Sequence, residues 1–432
     1  MKRLLLVAMG LLVAAACPGA MHYVVTNGTP GWTGAVDPYT NWATAGTNII
    51  DVVNAAMTND EPRLVLVSNG TYYLTNQVLI TNALTIRGVK GREATIVDGG
   101  YGMPTNTYGG CFYLLSGGGA KTLDGFTITN GCATSGGGVY MANDVSNTVK
   151  NCRITGCVAT NTFGSLASGG GAYVWRGVMT NCEVIGNINY NCYGGGILLR
   201  RGIVASCVVA QNTVYQGKTG NEVTGGGIHT FESTSSINNC EIYSNEVVGT
   251  YLIGSGVALK DNAVLRNSLI YGNMGQHAVS IYNTGGKVQN CTIVGNKAGG
   301  IYLYAASTYT GCIENVVSYF NVGSSDSNVY FNSNGKGSYQ IINSCIAPTN
   351  TFPTSGIEGY YYAGNIESDP QLADKDNNNF RLAQDSPCVN AGTNQEWMTN
   401  AVDLDGAARI RYGRVDMGAY ERIYHGVVYG VR

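Results

Sequence analysis

The chain has 432 residues, a formal net charge of −2, only 12% charged residues, and 61 glycines and 29 tyrosines. A near-neutral chain offers no electrostatic case for binding nucleic acid or an anionic membrane surface. Length alone suggests about three domains, but a repeat protein escapes that prior because it grows coil by coil.

The first segment, 1–20, reads as an export signal. Lys2-Arg3 forms a basic start, Leu4 to Ala16 an apolar core, and small residues near Ala16 to Ala20 offer cleavage. The apolar run is too short for a stable span. Cys17 after Ala14-Ala15-Ala16 suggests lipoprotein acylation as an alternative, which Pro18 and Ala14 oppose. No second apolar segment approaches spanning length, so no transmembrane span is expected and the location is extracellular or at the cell surface.

Residues 21–110 read as an N-terminal cap and first coils. Ile49, Val52, Val53 and Ala56 lie near helical spacing behind Thr47, a possible N-cap. A short helix there covers an open sheet end that would otherwise invite pairing with another chain. Strands follow at Leu64–Val67, Gln77–Ile80, Ala83–Ile86 and Thr95–Val97.

Residues 111–347 are repetitive. One motif, Asn-Cys-x-(Ile/Val), starts at Asn151, Asn181, Asn239 and Asn290, with looser copies at Ser206-Cys207 and Asn267-Ser268. Another is a glycine triplet before apolar residues, at Gly136, Gly169, Gly194 and Gly225, with degenerate forms at Gly254 and Gly299. A period of about 22–33 residues is a solenoid signature. Apolar residues alternate over short runs, as in Val149 to Ile154, which specifies strands. Asn and Gly supply tight corners. The prediction is an all-β, right-handed parallel β-helix of about nine to eleven coils, three strands per coil, with Asn ladders between stacked coils.

Cys152, Cys182, Cys207, Cys240 and Cys291 occupy one phase of the repeat, with Ser268 filling it once. This predicts a buried column in which Cys acts as a small hydrophobe. Cys132, Cys157 and Cys192 lie off the column and are the better disulfide candidates. The absence of a Cys-x-x-Cys pair argues against structural zinc.

Residues 348–432 lose the repeat and gain charge. Their blocks include Asp369-Pro370-Gln371-Leu372, Ser386-Pro387-Cys388-Val389-Asn390-Ala391-Gly392, Asp403-Leu404-Asp405-Gly406, Arg409-Ile410 and Val415-Asp416-Met417-Gly418-Ala419-Tyr420-Glu421. This order resembles the choice-of-anchor Q domain, which implies a sorting or anchoring tail on a secreted bacterial β-helix protein. The chain departs from an anchor in ending Tyr424 to Arg432 without an apolar stretch, so the mode of attachment stays open. The body, with Leu84-Thr85-Ile86-Arg87-Gly88 as an opening coil, resembles the pectin-lyase-like superfamily. Its Gly-Gly-Gly-Ile and Ile-x-x-Asn units are similar to the repeats of polymorphic outer-membrane proteins. That superfamily hosts lyases, hydrolases, adhesins and stalks, so the fold does not name the function.

The hydrolase signatures of that superfamily, Asn-Thr-Asp, Asp-Asp, Gly-His-Gly and Arg-Ile-Lys, are missing from the body. For a lyase, Lys260-Asp261 and Arg200-Arg201 are the body pairs with suitable chemistry, against a reading as solvated corners. His229, predicted to face solvent, and Glu232 complete the catalytic candidates. Asp374, Asp376, Asn378 and Asp385 fall at the spacing of a calcium loop, although Asn379 replaces its glycine and no helices flank it. A polar turn is the alternative there, and no other cofactor is expected. Tyr140, Tyr173, Trp175 and Tyr193 are the candidate sugar-binding aromatics; internal packing is the alternative. The leading expectation is a non-enzymatic exported binder of polysaccharide or a surface, adhesin-like. The second is a lyase or hydrolase on an extracellular, uronate-containing glycan.

Overall fold

A computed structural model describes residues 21–59, 63–100, 109–160, 167–216, 223–232, 234–249, 252–282, 285–304, 310–323, 328–332, 338–347 and 359–423. The export segment 1–20 lies outside these residues.

Short alternating strands stack into three long parallel sheets. The first has thirteen strands, from Met21–Val24 to Gly359–Ala363, and the second has eleven, from Gly70–Tyr73 to Cys345–Ile346. Because every strand is parallel and in register, like residues stack on like. In the first sheet Ile86, Leu123, Val149, Met179, Val204 and Ile237 follow one another inward. In the second, Ile128, Ile154, Val184, Val209, Ile242, Ile270 and Ile293 do the same. All are buried completely, so one continuous core runs the length of the solenoid. The parallel pairing continues to residue 363, past the expected boundary at 347.

Two corners repeat for separate reasons. Between the first and second sheets, Asn151, Asn181, Asn239, Asn267, Asn290 and Asn315 sit at φ between 49° and 55°, a left-handed conformation that Asn tolerates better than most residues. After the second sheet, Asn187, Asn212, Asn245, Asn273 and Asn296 form an interior ladder. Each Nδ2 donates to the next Oδ1 at 2.9–3.0 Å. Each Oδ1 also accepts a backbone N–H one coil below, at about the same length. The ladder satisfies buried polar groups that would otherwise destabilise each coil.

The Cys column is present. Cys152, Cys182, Cys207, Cys240 and Cys291 are buried free thiols, and Ser268 stands in line, accepting the N–H of Cys240 at 3.1 Å. Cys132 and Cys157 are also free, buried thiols, which corrects the disulfide expectation for them. Burial pushes up the thiols of Cys132, Cys152, Cys182, Cys240 and Cys291; Cys240 and Cys291 reach about 12.

The helix Ile49–Met57 packs on strands 21–24, 64–67 and 78–80 through Ile49, Val52, Val53 and Ala56. Its N-cap is Asn48, whose Oδ1 accepts from Ile50 N at 2.9 Å, rather than Thr47. The third side departs from three plain strands. In four consecutive coils the chain makes an extra short strand: Ala167–Ser168, Cys192–Tyr193, Val223–Thr224 and Leu252–Ile253. This flanking strip runs beside the third sheet. In the next coil it ends, and a single strand, Met274–Tyr282, spans the whole side.

Candidate functional site

The third sheet presents two outward rows. One reads Tyr113, Tyr140, Tyr173, Leu198, His229, Ala258, Ser280, Tyr302 and Tyr330, each paired in register with the next. Two residues on, backbone hydrogen bonds and register carry a second row of Trp175, Arg200, Phe231, Lys260, Tyr282 and Tyr304. Alternation dictates both rows: Ile197, Leu199, Ile228 and Val257 point inward, so the intervening residues point out.

Stacking at one strand spacing puts these rings in contact. Tyr140 and Tyr173 lie 4.6 Å apart at 6°, and Tyr282 and Tyr304 lie 4.9 Å apart at 20°. The Arg200 guanidinium sits 4.4 Å over the Trp175 ring, and Lys260 Nζ sits 4.4 Å over Phe231. Cations and aromatic faces therefore alternate along the second row.

The turns behind this row bring the charged candidates together. Glu232 accepts from Arg200 Nε at 2.6 Å and also pairs with Arg201. One coil on, Asp261 Oδ2 accepts the N–H of Glu232 at 3.0 Å. Both acids hold left-handed backbones, at φ 70° and 59°, a conformation found more often at functional sites than elsewhere. Lys260, Asp261, Glu232 and His229 thus lie on two neighbouring coils; Tyr193 stacks on His229 and Trp175 on Arg200, whereas Tyr173 and Tyr140 lie two and three rungs from His229 along the first row.

His229 does not face solvent. It points outward from the solenoid, but the flanking strip covers it and leaves it 4% exposed. Its ring stacks on Tyr193 at 4.5 Å, and Nδ1 bonds Thr224 Oγ1 at 2.6 Å. Burial, reinforced by Lys260, lowers its pKa to about 3, so the imidazole is neutral at physiological pH. His277, also buried, is lowered by burial to about 4 and packs on Tyr302 and Tyr330.

The structure does not gather the calcium candidates. Asp374 caps its own turn by accepting from Asn377 Nδ2 at 2.8 Å, Asp376 pairs with Lys375 at 2.6 Å, and Asn378 takes the left-handed position that closes the turn. Among the described residues, no three His, Cys, Asp or Glu side chains form a metal-binding group. The polar-turn alternative accounts for this geometry.

Sequence reasoning passed over Phe231, Thr224 and Ser280. The first was legible as the second residue after each outward rung. The other two depend on where the flanking strip lies, which no local pattern encodes.

A family model described as "Right handed beta helix region" matches residues 165–317. The chain is a right-handed parallel β-helix. Among solved structures, this β-helix is similar to pectate lyase Pel9A, at 15% identity and a TM-score of 0.55, over 93% of this chain and 96% of that one. It is also similar to the Azotobacter vinelandii mannuronan C-5 epimerase AlgE6 A-module, at 13% identity and TM-score 0.44, over 73% of this chain and 88% of that one. A third is the catalytic unit of the GH87 alpha-1,3-glucanase from Streptomyces thermodiastaticus, at 10% identity and TM-score 0.40, over 74% and 66%. No curated protein matches the chain. No helix among the described residues is long and apolar enough to cross a membrane.

Proposed function

We propose that this β-helix is an exported, glycan-binding protein that holds polysaccharide against the outer face of its third sheet. One observation carries the reading: Trp175, Arg200, Phe231, Lys260, Tyr282 and Tyr304 form a single unbroken row. Aromatic faces suit the apolar faces of sugar rings, and the intervening cations suit hydroxyl or acidic substituents. The basic and apolar run in 1–20 supports export. The resemblance of the tail to choice-of-anchor Q domains supports retention at the cell surface.

The test is a glycan array with the full chain and a Trp175→Ala variant. Wild type binds a defined polysaccharide class; the variant loses about tenfold in affinity, the worth of one stacked ring, while its melting temperature barely moves. Equal binding by both proteins removes the row from the proposal.

A second reading, a polysaccharide lyase, draws on Glu232 lying among Arg200, Arg201 and Lys260. Two features weigh against it. Glu232 is doubly ion-paired, and an imidazole whose conjugate acid has a pKa of about 3 is a poor proton acceptor near neutrality. Appearance of unsaturated ends in an ultraviolet assay on any array-positive glycan would establish the lyase reading instead.

A further inference from the structure

The bulky first row has a gap. Between His229 and Tyr302 its two rungs are Ala258 and Ser280. The flanking strip ends in the same place, because Leu252–Ile253 is its last strand. A notch results, floored by His229, Ala258 and Ser280 and rimmed by Tyr193, Lys260 and Tyr282. Its enclosed part measures about 10 Å³, room for one water-sized group.

Two polar atoms at this notch are unpartnered. His229 Nε2 and Ser280 Oγ are buried and have no hydrogen-bond partner among the described residues. Buried polar atoms are ordinarily satisfied, so the pair points to an occupant. Thr224, by donating to or accepting from Nδ1, selects the tautomer and hence whether Nε2 donates. The charge at the rim is one-sided. Arg200 and Arg201 share the single carboxylate of Glu232, and Lys260 sits over the Phe231 face with no ion-paired carboxylate among the described residues, so these three cations outnumber Glu232 and Asp261 by one.

We propose that the notch is a subsite for one oxygen of an anionic substituent, a carboxylate or a sulfate half-ester, on a sugar ring seated against the aromatic row. The inference rests on the glycan-binding reading and adds the chemical class of the ligand. Lys260 supplies the charge, His229 Nε2–H and the Ser280 hydroxyl supply the hydrogen bonds, and Tyr193 and Tyr282 hold the ring edge. The notch is too small for a bulkier group such as an N-acetyl to be enclosed.

Calorimetry with the full chain tests this with three oligosaccharides of equal length: an oligouronate, its carboxyl-reduced neutral counterpart, and a sulfated neutral chain. Wild type prefers at least one acidic ligand over the neutral one by about tenfold, the value of a charge-assisted hydrogen bond. Preference for the uronate or the sulfated chain identifies the source of the anion. Lys260→Met and the notch-filling Ser280→Phe each abolish the preference, bringing the ratio of acidic to neutral affinity to about one whatever either does to the neutral ligand. Lys260 lies at the rim, so its variant keeps the test sharp even where Ser280→Phe disturbs folding. Equal affinity for acidic and neutral chains, or a preference that survives both substitutions, overturns the subsite while leaving the aromatic row in place. No binding of any of the three by wild type overturns both.

Discussion

The second and third sheets belong to the same coils, yet their outer faces have opposite fates. On the second sheet the late rungs Leu269, Val294 and Val317 are apolar, and the C-terminal segment folds back over them with Phe380, Leu382, Met417 and Tyr420. On the third sheet most outward rungs are aromatic or cationic, broken at Leu198, Ala258 and Ser280, and the narrow flanking strip runs beside them. The covered face is closed by a buried charge network. Arg409, fully buried, pairs with Glu421 at 3.0 Å and donates to Asn267 Oδ1 at 3.1 Å and Gly418 O at 3.1 Å. Burial raises the carboxyl of Glu421, and Arg409 opposes that shift. Corner asparagines also contribute: Asn267 donates to Val402 O, and Asn315 exchanges bonds with Thr393. The lesson is that one solenoid geometry can produce either an interior seam or a binding surface, and side-chain chemistry on the outward rungs decides which.

The most severe break in that contrast lies beneath both faces. Ile293→Asp buries an unpaired charge in the shared core and destabilises by about 5 kcal/mol, read from the urea midpoint; an unchanged midpoint would place Ile293 outside the core. Next is the covered face. Arg409→Met leaves Glu421 buried beside Asp403 and Asp416 without its ion-pair partner, costs about 3–5 kcal/mol, and exposes the tail to limited proteolysis before the coils. Resistance of the tail in that variant would show that the apolar seam suffices without the ion pair.

Acid discriminates the open face. His229 and His277 titrate near 6.5 when unfolded and near 3 and 4 when folded. Each therefore contributes stability that is complete above pH 6.5 and is lost as pH falls toward its folded value. The slope is up to about 1.4 kcal/mol per pH unit for each histidine. His229→Phe should flatten the stability profile between pH 6.5 and 3; an identical profile would mean another group sets the acid limit. The smallest expected effect is that of reductant. The column thiols are free, so a reducing agent should leave the melting temperature unchanged, and a fall of several degrees would reveal bridges.

Particular residues show where local pattern suffices. The phase of Cys152 through Cys291, with Ser268 as its one substitute, was readable because a parallel in-register stack converts sequence period directly into spatial column. The same held for the inward Ile and Val rungs and the Asn ladder. His229 was misread because its cover comes from Tyr193 and Thr224 on strands that belong to no repeat motif. The roles of Asp403, Arg409, Asp416 and Glu421 were invisible for a related reason: blocks of charge read as surface until a second element buries them.

The amino-acid order alone determined the coil, its period, its inward rungs and its corners, since each depends on neighbours within a few residues and on translation along one axis. Only the tertiary structure decided that Glu232, Lys260 and Asp261 share a place with Trp175, that the flanking strip stops at Ile253, and that the tail covers the second sheet rather than the third. Those outcomes depend on lateral packing between segments far apart in the chain, for which a one-dimensional period carries no information.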